Sequence, residues 1–176
     1  MTGGKQKEFN TENVLSFTEV AVPTIMVIYG FLAKFGLVSN EYYTSDAVLY
    51  ILSLVMMGVA LITVAKPSLI KPLVKTVTYH ILTLLFLTFV TGFSSPFLAV
   101  WILLLINTSK HFSIDTSWNS ILIFISASAL QSFFFLPNDP GAQLKQLITV
   151  LTFSALGAIV VIIFHSQKVN QADLVS

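Results

Sequence analysis

Cysteine and arginine are both missing from this 176-residue chain, and charge of either sign is scarce. Without cysteine there is no disulfide, no zinc–thiolate site and no thiol nucleophile. Nine lysines against eight acidic residues leave a formal charge of +1. That balance carries no basic footprint, so no nucleic-acid partner is expected. Charged residues make up 10% of the chain, against about 25% in ordinary soluble domains. Apolar residues take their place: 55% of the chain is hydrophobic and the mean hydropathy is +0.85. They are gathered in long runs, and roughly 20 apolar residues let a helix cross a hydrocarbon core about 30 Å thick. The expected fold is all-α, a polytopic helix bundle in the lipid bilayer of the cell's inner (plasma) membrane.

Punctuation divides the runs into six spans, with five as the alternative. Residues 1–17 read as a polar cytoplasmic tail that is retained, because the apolar run behind it is long and lacks a small-residue cleavage site. The first span is expected from about Thr18 to Val38, with Pro23 in its first turns and Lys34 snorkelling at its far end. A loop with Asn40, Glu41, Tyr42, Tyr43 and Asp46 precedes a second span, Ala47 to Ala65, and the paired tyrosines suit a headgroup interface. Lys66, Lys71 and Lys75 then surround Pro67 and Pro72 in a short basic break.

From Thr76 to Thr108 the chain is nearly all apolar, too long for one straight crossing, and Thr91-Gly92-Phe93-Ser94-Ser95-Pro96-Phe97 stands in its middle. Gly92 can stop a helix, Ser95 can cap the next and Pro96 suits a first helical position, which predicts a tight hairpin. The fourth span, Pro96 to about Ser109, is short. A loop with Lys110, His111 and Asp115 leads to Trp118 and a fifth span, about Asn119 to Leu136. The turn logic recurs at Pro137-Asn138-Asp139-Pro140-Gly141, with Asp139 as cap and Pro140 at the first position of a helix whose span is about Leu144 to Phe164. Residues 18–164 thus form the membrane domain. With both termini in the cytoplasm, seven of the nine lysines fall inside, leaving Lys34 and Lys145 outside. Five spans would move Lys110 and Lys168 outside. Small residues of the fifth span (Ser126 to Ser132) and sixth span (Ser154 to Ala158) suggest one close-packed seam, within the bundle or in a homodimer.

No catalytic, cofactor or metal site is expected. His80, His111 and His165 are far apart and each falls near a predicted membrane boundary, where a polar aromatic tip is comfortable. Gly92-Phe93-Ser94-Ser95 lacks the glycine and the paired base of a nucleophile turn. A transporter usually buries ionisable groups at mid-membrane, and none lies at a span centre. Glu19, Asn107 and Gln131 are the candidate intramembrane polar residues: Glu19 is the acid nearest a span interior, while Asn107 and Gln131 are expected to bond between helices.

After Phe164 the chain turns polar without glycine or proline, so residues 165–176 are expected to prolong the last helix as a cytoplasmic connector. The turn Gly92-Phe93-Ser94-Ser95-Pro96, the following Trp101 and the polar helix after the last span together resemble the amino-terminal membrane regions of bacterial sensor histidine kinases. That resemblance implies a non-catalytic sensory module that passes helix movement to a cytoplasmic effector domain; it carries over no catalytic residue, and His165 is too near the membrane to be a phosphoacceptor. A small transporter or channel, and a structural subunit of a membrane complex, are the competing readings.

Overall fold

The computed structural model describes residues 11–37, 46–66, 69–136 and 138–173, and among them it is all-helical. In chain order the helices are α1 (Thr11–Lys34), α2 (Asp46–Ala65), α3 (Pro72–Phe86), α4 (Leu98–His111), α5 (Ile114–Phe135) and α6 (Pro140–Asp173). A π turn, Leu87–Thr91, continues α3. The tyrosine pair Tyr42 and Tyr43, the break residues Pro67 and Ser68, and Pro137 lie outside the described residues.

The ends are set by local chemistry. α1 stops where Gly36 takes φ 69°, and the bonds Gly36 N–H to Ala33 O and Leu37 N–H to Leu32 O close the last turn. Pro72 opens α3, where a missing N–H costs nothing. Ser113 caps α5 by accepting from the Thr116 N–H at 3.3 Å, and Asp115 places negative charge in the first turn. Asp139 Oδ1 accepts from the Ala142 N–H at 2.9 Å, and Pro140 is the first residue of α6.

Three boundaries differ from those the spacing predicts. α1 begins at Thr11, which puts Pro23 in mid-helix, where it removes a helical hydrogen bond instead of sitting harmlessly at the start. α5 begins at Ile114, ahead of Asn119, because Ser113 caps it within the polar stretch. The hairpin turn also works differently. Gly92 ends the π turn at φ 74°, ψ 163°, but α4 starts only at Leu98, and its capping position is Phe97 with no side-chain bond. The Ser95 hydroxyl donates back to Thr91 Oγ1 at 3.0 Å, so Ser95 is not the cap, and Pro96 precedes the helix within a run of i→i+3 bonds.

Large apolar side chains cover the outside of the bundle: Ile25, Leu54, Leu61, Ile123 and Leu151 are each more than half exposed. In water such a surface would aggregate, whereas acyl chains solvate it. Three helical stretches are long and apolar enough to cross a membrane: Pro72–Thr91, Ile114–Phe135 and Pro140–Asn170. The chain is a helical membrane protein. α4, with 14 residues, extends only about 21 Å.

Packing explains how so short a helix is held. α1 pairs with α2, while α4 lies against α6, α3 and α5. Two apolar cores result, one around Met26, Leu52, Met56 and Phe86, the other around Leu98, Trp101, Leu105 and Phe124. Phe97, in the turn, joins them: its ring meets Tyr29 at 4.7 Å and Phe86 at 5.3 Å, edge to face. Trp101 is fully buried and stacked on Phe124, with centroids 3.9 Å apart. Across from it Gly157 admits α4, since a Cβ there would lie 2.9 Å from Leu105 Cδ2 and 3.0 Å from Trp101 Cη2. The small residues therefore do not form one α5–α6 seam. Gly157 serves an α4–α6 contact, Ser128 an α5–α6 contact, Ala129 lines the groove between α5 and α6, and Ser126 and Ala155 are exposed.

Candidate functional site

Two glutamines, one on α5 and one on α6, are buried almost completely and both donate across helix boundaries. The first meets the π turn. There the Gly92 N–H bonds to Leu87 O at 2.7 Å, five residues back, so the carbonyls of this turn are out of step with an α-helical ladder. Gln131 Nε2 donates to Thr88 O at 3.3 Å and reaches Leu87 O at 3.5 Å. The shorter contact carries the interaction, and the longer is at the limit for a hydrogen bond. α5 thereby holds the end of α3 at its irregular turn.

Ser128 lies three residues before Gln131, on the same face of α5. Its carbonyl oxygen accepts from Gln146 Nε2 at 2.9 Å, and its Oγ lies 3.1 Å from the same nitrogen. Gln143 Nε2, one turn before Gln146, donates to Leu136 O. The orientation of both buried amides is set by their partners, because turning either over would set an amide oxygen against a carbonyl oxygen. Each amide oxygen is left without a partner among the described residues, as are Ser154 Oγ on α6 and Trp101 Nε1. A buried acceptor left unpaired costs about 1–3 kcal/mol. The result is a polar ladder that runs from the π turn of α3 through α5 to α6 and contains no ionisable group.

The opposite end of the bundle has its own tie. Lys168 Nζ, on α6, donates to Phe112 O in the α4–α5 turn at 2.8 Å. α6 is thus fastened to α5 near its start and to the α4–α5 turn near its end, and it runs between these points without interruption. The arrangement joins the π turn, α5 and α6 through side-chain-to-backbone hydrogen bonds.

Among the candidate polar residues, the side chain of Glu19 lies outside the described residues. Gln131 bonds between helices. The side chain of Asn107, half-buried on α4, makes no hydrogen bond among the described residues; its neighbour Thr108 takes the interhelical contact instead, with His80 Nε2 2.9 Å from its Oγ1. His80 therefore turns its ring toward α4, where Thr108 provides a partner, near the end of the bundle where α3 begins. Gly92 and Pro96 delimit the turn between the π turn and α4, and Asp139 and Pro140 open α6. Gln146 escapes a sequence reading that starts the sixth span at Leu144, since it then sits at the interface. In the structure Gln146 is buried and bonded to Ser128 of α5. No group of three or more His, Asp or Glu gathers as a metal site among the described residues. No family model, no curated protein and no solved structure matches the chain.

Proposed function

We propose that the chain is a non-catalytic transmembrane sensory and signal-transducing module of the bacterial sensor-kinase type, crossing the inner membrane six times with both termini in the cytoplasm. One observation carries this reading: α6 is a single helix of 34 residues, about 51 Å long, that outruns a hydrocarbon core of about 30 Å. It is gripped near its start by the ladder and near its far end by Lys168. A stiff rod delivers a small rotation or piston displacement to an effector, joined to it or bound by it, where a flexible tether would dissipate it. α4, with 14 residues, is shorter than a usual crossing, and it is shielded in this arrangement by the helices around it.

The test joins the full chain through Ser176, in continuous helical register, to a histidine-kinase output domain. Insertion of four glycines after Ser166 should abolish regulated output. Insertions of one to four alanines after Gln171 should change output with a helical period of about 3.6 residues. Output indifferent to both series would overturn the proposal.

A further inference from the structure

A cavity of about 270 Å³ lies between α3, α4 and α5, away from the ladder. Leu73 and Thr116 both line it, which places it at the end of the bundle where α3 begins and α4 turns into α5. Its lining is mixed. Thr76, His80, Thr108, Thr116, Asn119 and Ser120 are polar; Leu73, Val77, Ile81, Leu84 and Ile123 are apolar. Ile81 and Ile123 are 52% and 56% exposed, so the apolar lining is continuous with the surface that meets acyl chains.

Hydrogen-bond accounting shows what the polar lining has left to offer. Thr108 has one hydroxyl proton and donates it to Leu104 O at 2.9 Å. It must then accept from His80 Nε2–H, which leaves the other ring nitrogen, Nδ1, as an acceptor. Ser120 donates to Thr116 O at 3.0 Å, and its oxygen can still accept. Thr76 is the strongest sign of a ligand. It is only 4% exposed, it lines the cavity, and its hydroxyl has no hydrogen bond among the described residues. The Asn119 side chain is likewise unbonded among them, with a donor and an acceptor to give.

No Asp, Glu or Lys lines the cavity. A charged head would therefore lose its hydration without a counter-charge, whereas hydroxyls and an ester carbonyl would find partners. At roughly 30 Å³ for each water-sized group, the volume holds about nine such groups, the size of a glycerol ester.

We propose that this cavity binds an uncharged single-chain amphiphile of the monoacylglycerol class, with its hydroxyl-bearing head held by Thr76, His80 and Asn119 and its acyl chain leaving between Ile81 and Ile123. The site stands whether or not α6 carries a signal.

The experiment uses the full chain in phosphatidylcholine nanodiscs containing 1-monooleoylglycerol, with bound lipid counted by native mass spectrometry after release. Thermal midpoint and helical circular dichroism check that each variant is folded. The wild-type chain should retain one monooleoylglycerol. Thr76→Val should weaken retention about fivefold, the equivalent of one hydrogen bond. Ser120→Phe, which fills the cavity from a half-buried position, should abolish retention. Asn107→Leu, outside the cavity, should leave it unchanged. Equal retention by the wild type, Thr76→Val and Ser120→Phe would overturn the proposal. So would a chain that ignores monooleoylglycerol but holds phosphatidylglycerol in a manner lost with Ser120→Phe, which would reassign the cavity to an anionic lipid.

Discussion

Gly157 is a position where even a single methyl group would disturb the packing. Its missing side chain is replaced by Leu105 and by the rim of Trp101, and Trp101 cannot retreat because it is stacked on Phe124. Gly157→Ala should therefore cost about 1–3 kcal/mol through overpacking, read as a lower thermal midpoint in detergent. An unchanged midpoint would mean that α4 and α6 are not in such close contact. The buried glutamines behave differently, because each makes bonds and also strands an oxygen. Gln131→Leu and Gln146→Leu should each cost about 1 kcal/mol or less, the range of hydrogen bonds between membrane helices. A double-mutant cycle tests the ladder itself: a coupling energy indistinguishable from zero would show two separate bonds and no transmission through α5.

At the scale of elements, the hairpin between α3 and α4 has the most at stake. Gly92 sits at φ 74°, ψ 163°, a region essentially reserved for glycine, so Gly92→Ala alone should cost about 1–3 kcal/mol. The double change Gly92→Leu with Pro96→Leu should do more, merging α3 and α4 into one helix and inverting the orientation of α5 and α6. A reporter fused after Lys110 would then switch sides; one that kept its side would show that the turn is held by packing alone, for example by Phe97 wedged between Tyr29 and Phe86. The hairpin was legible as a place, from glycine and proline inside an apolar run, but not as a mechanism. Nothing in the local sequence says that α3 relaxes into a π turn first, because that turn is held partly by Gln131, about 40 residues away.

The whole molecule is tested by which side each turn faces. Because the chain is free of cysteine, single substitutions report directly. With six spans, Lys71→Cys should resist an impermeant thiol reagent applied to intact cells, and Asn138→Cys should react. Labelling of Lys71→Cys from outside would overturn the topology, and labelling of both positions would overturn the span count.

The amino-acid sequence by itself determined the solvent, the class and most of the punctuation. Apolar runs with so little charge have no stable place but a bilayer, and helices are the simplest way to satisfy a backbone there, while Gly36, Gly92, Pro72, Ser113 and Asp139 act through bonds to near neighbours. Only the tertiary structure decided which polar residues matter together. Gln131 and Gln146 found partners on other helices, His80 turned to Thr108 on α4, and the side chain of Asn107 found none among the described residues. In lipid every apolar face is equally content outside, so hydropathy ranks no face above another. The choice of face falls to close packing and to a few directional hydrogen bonds, which depend on where two distant helices come to lie.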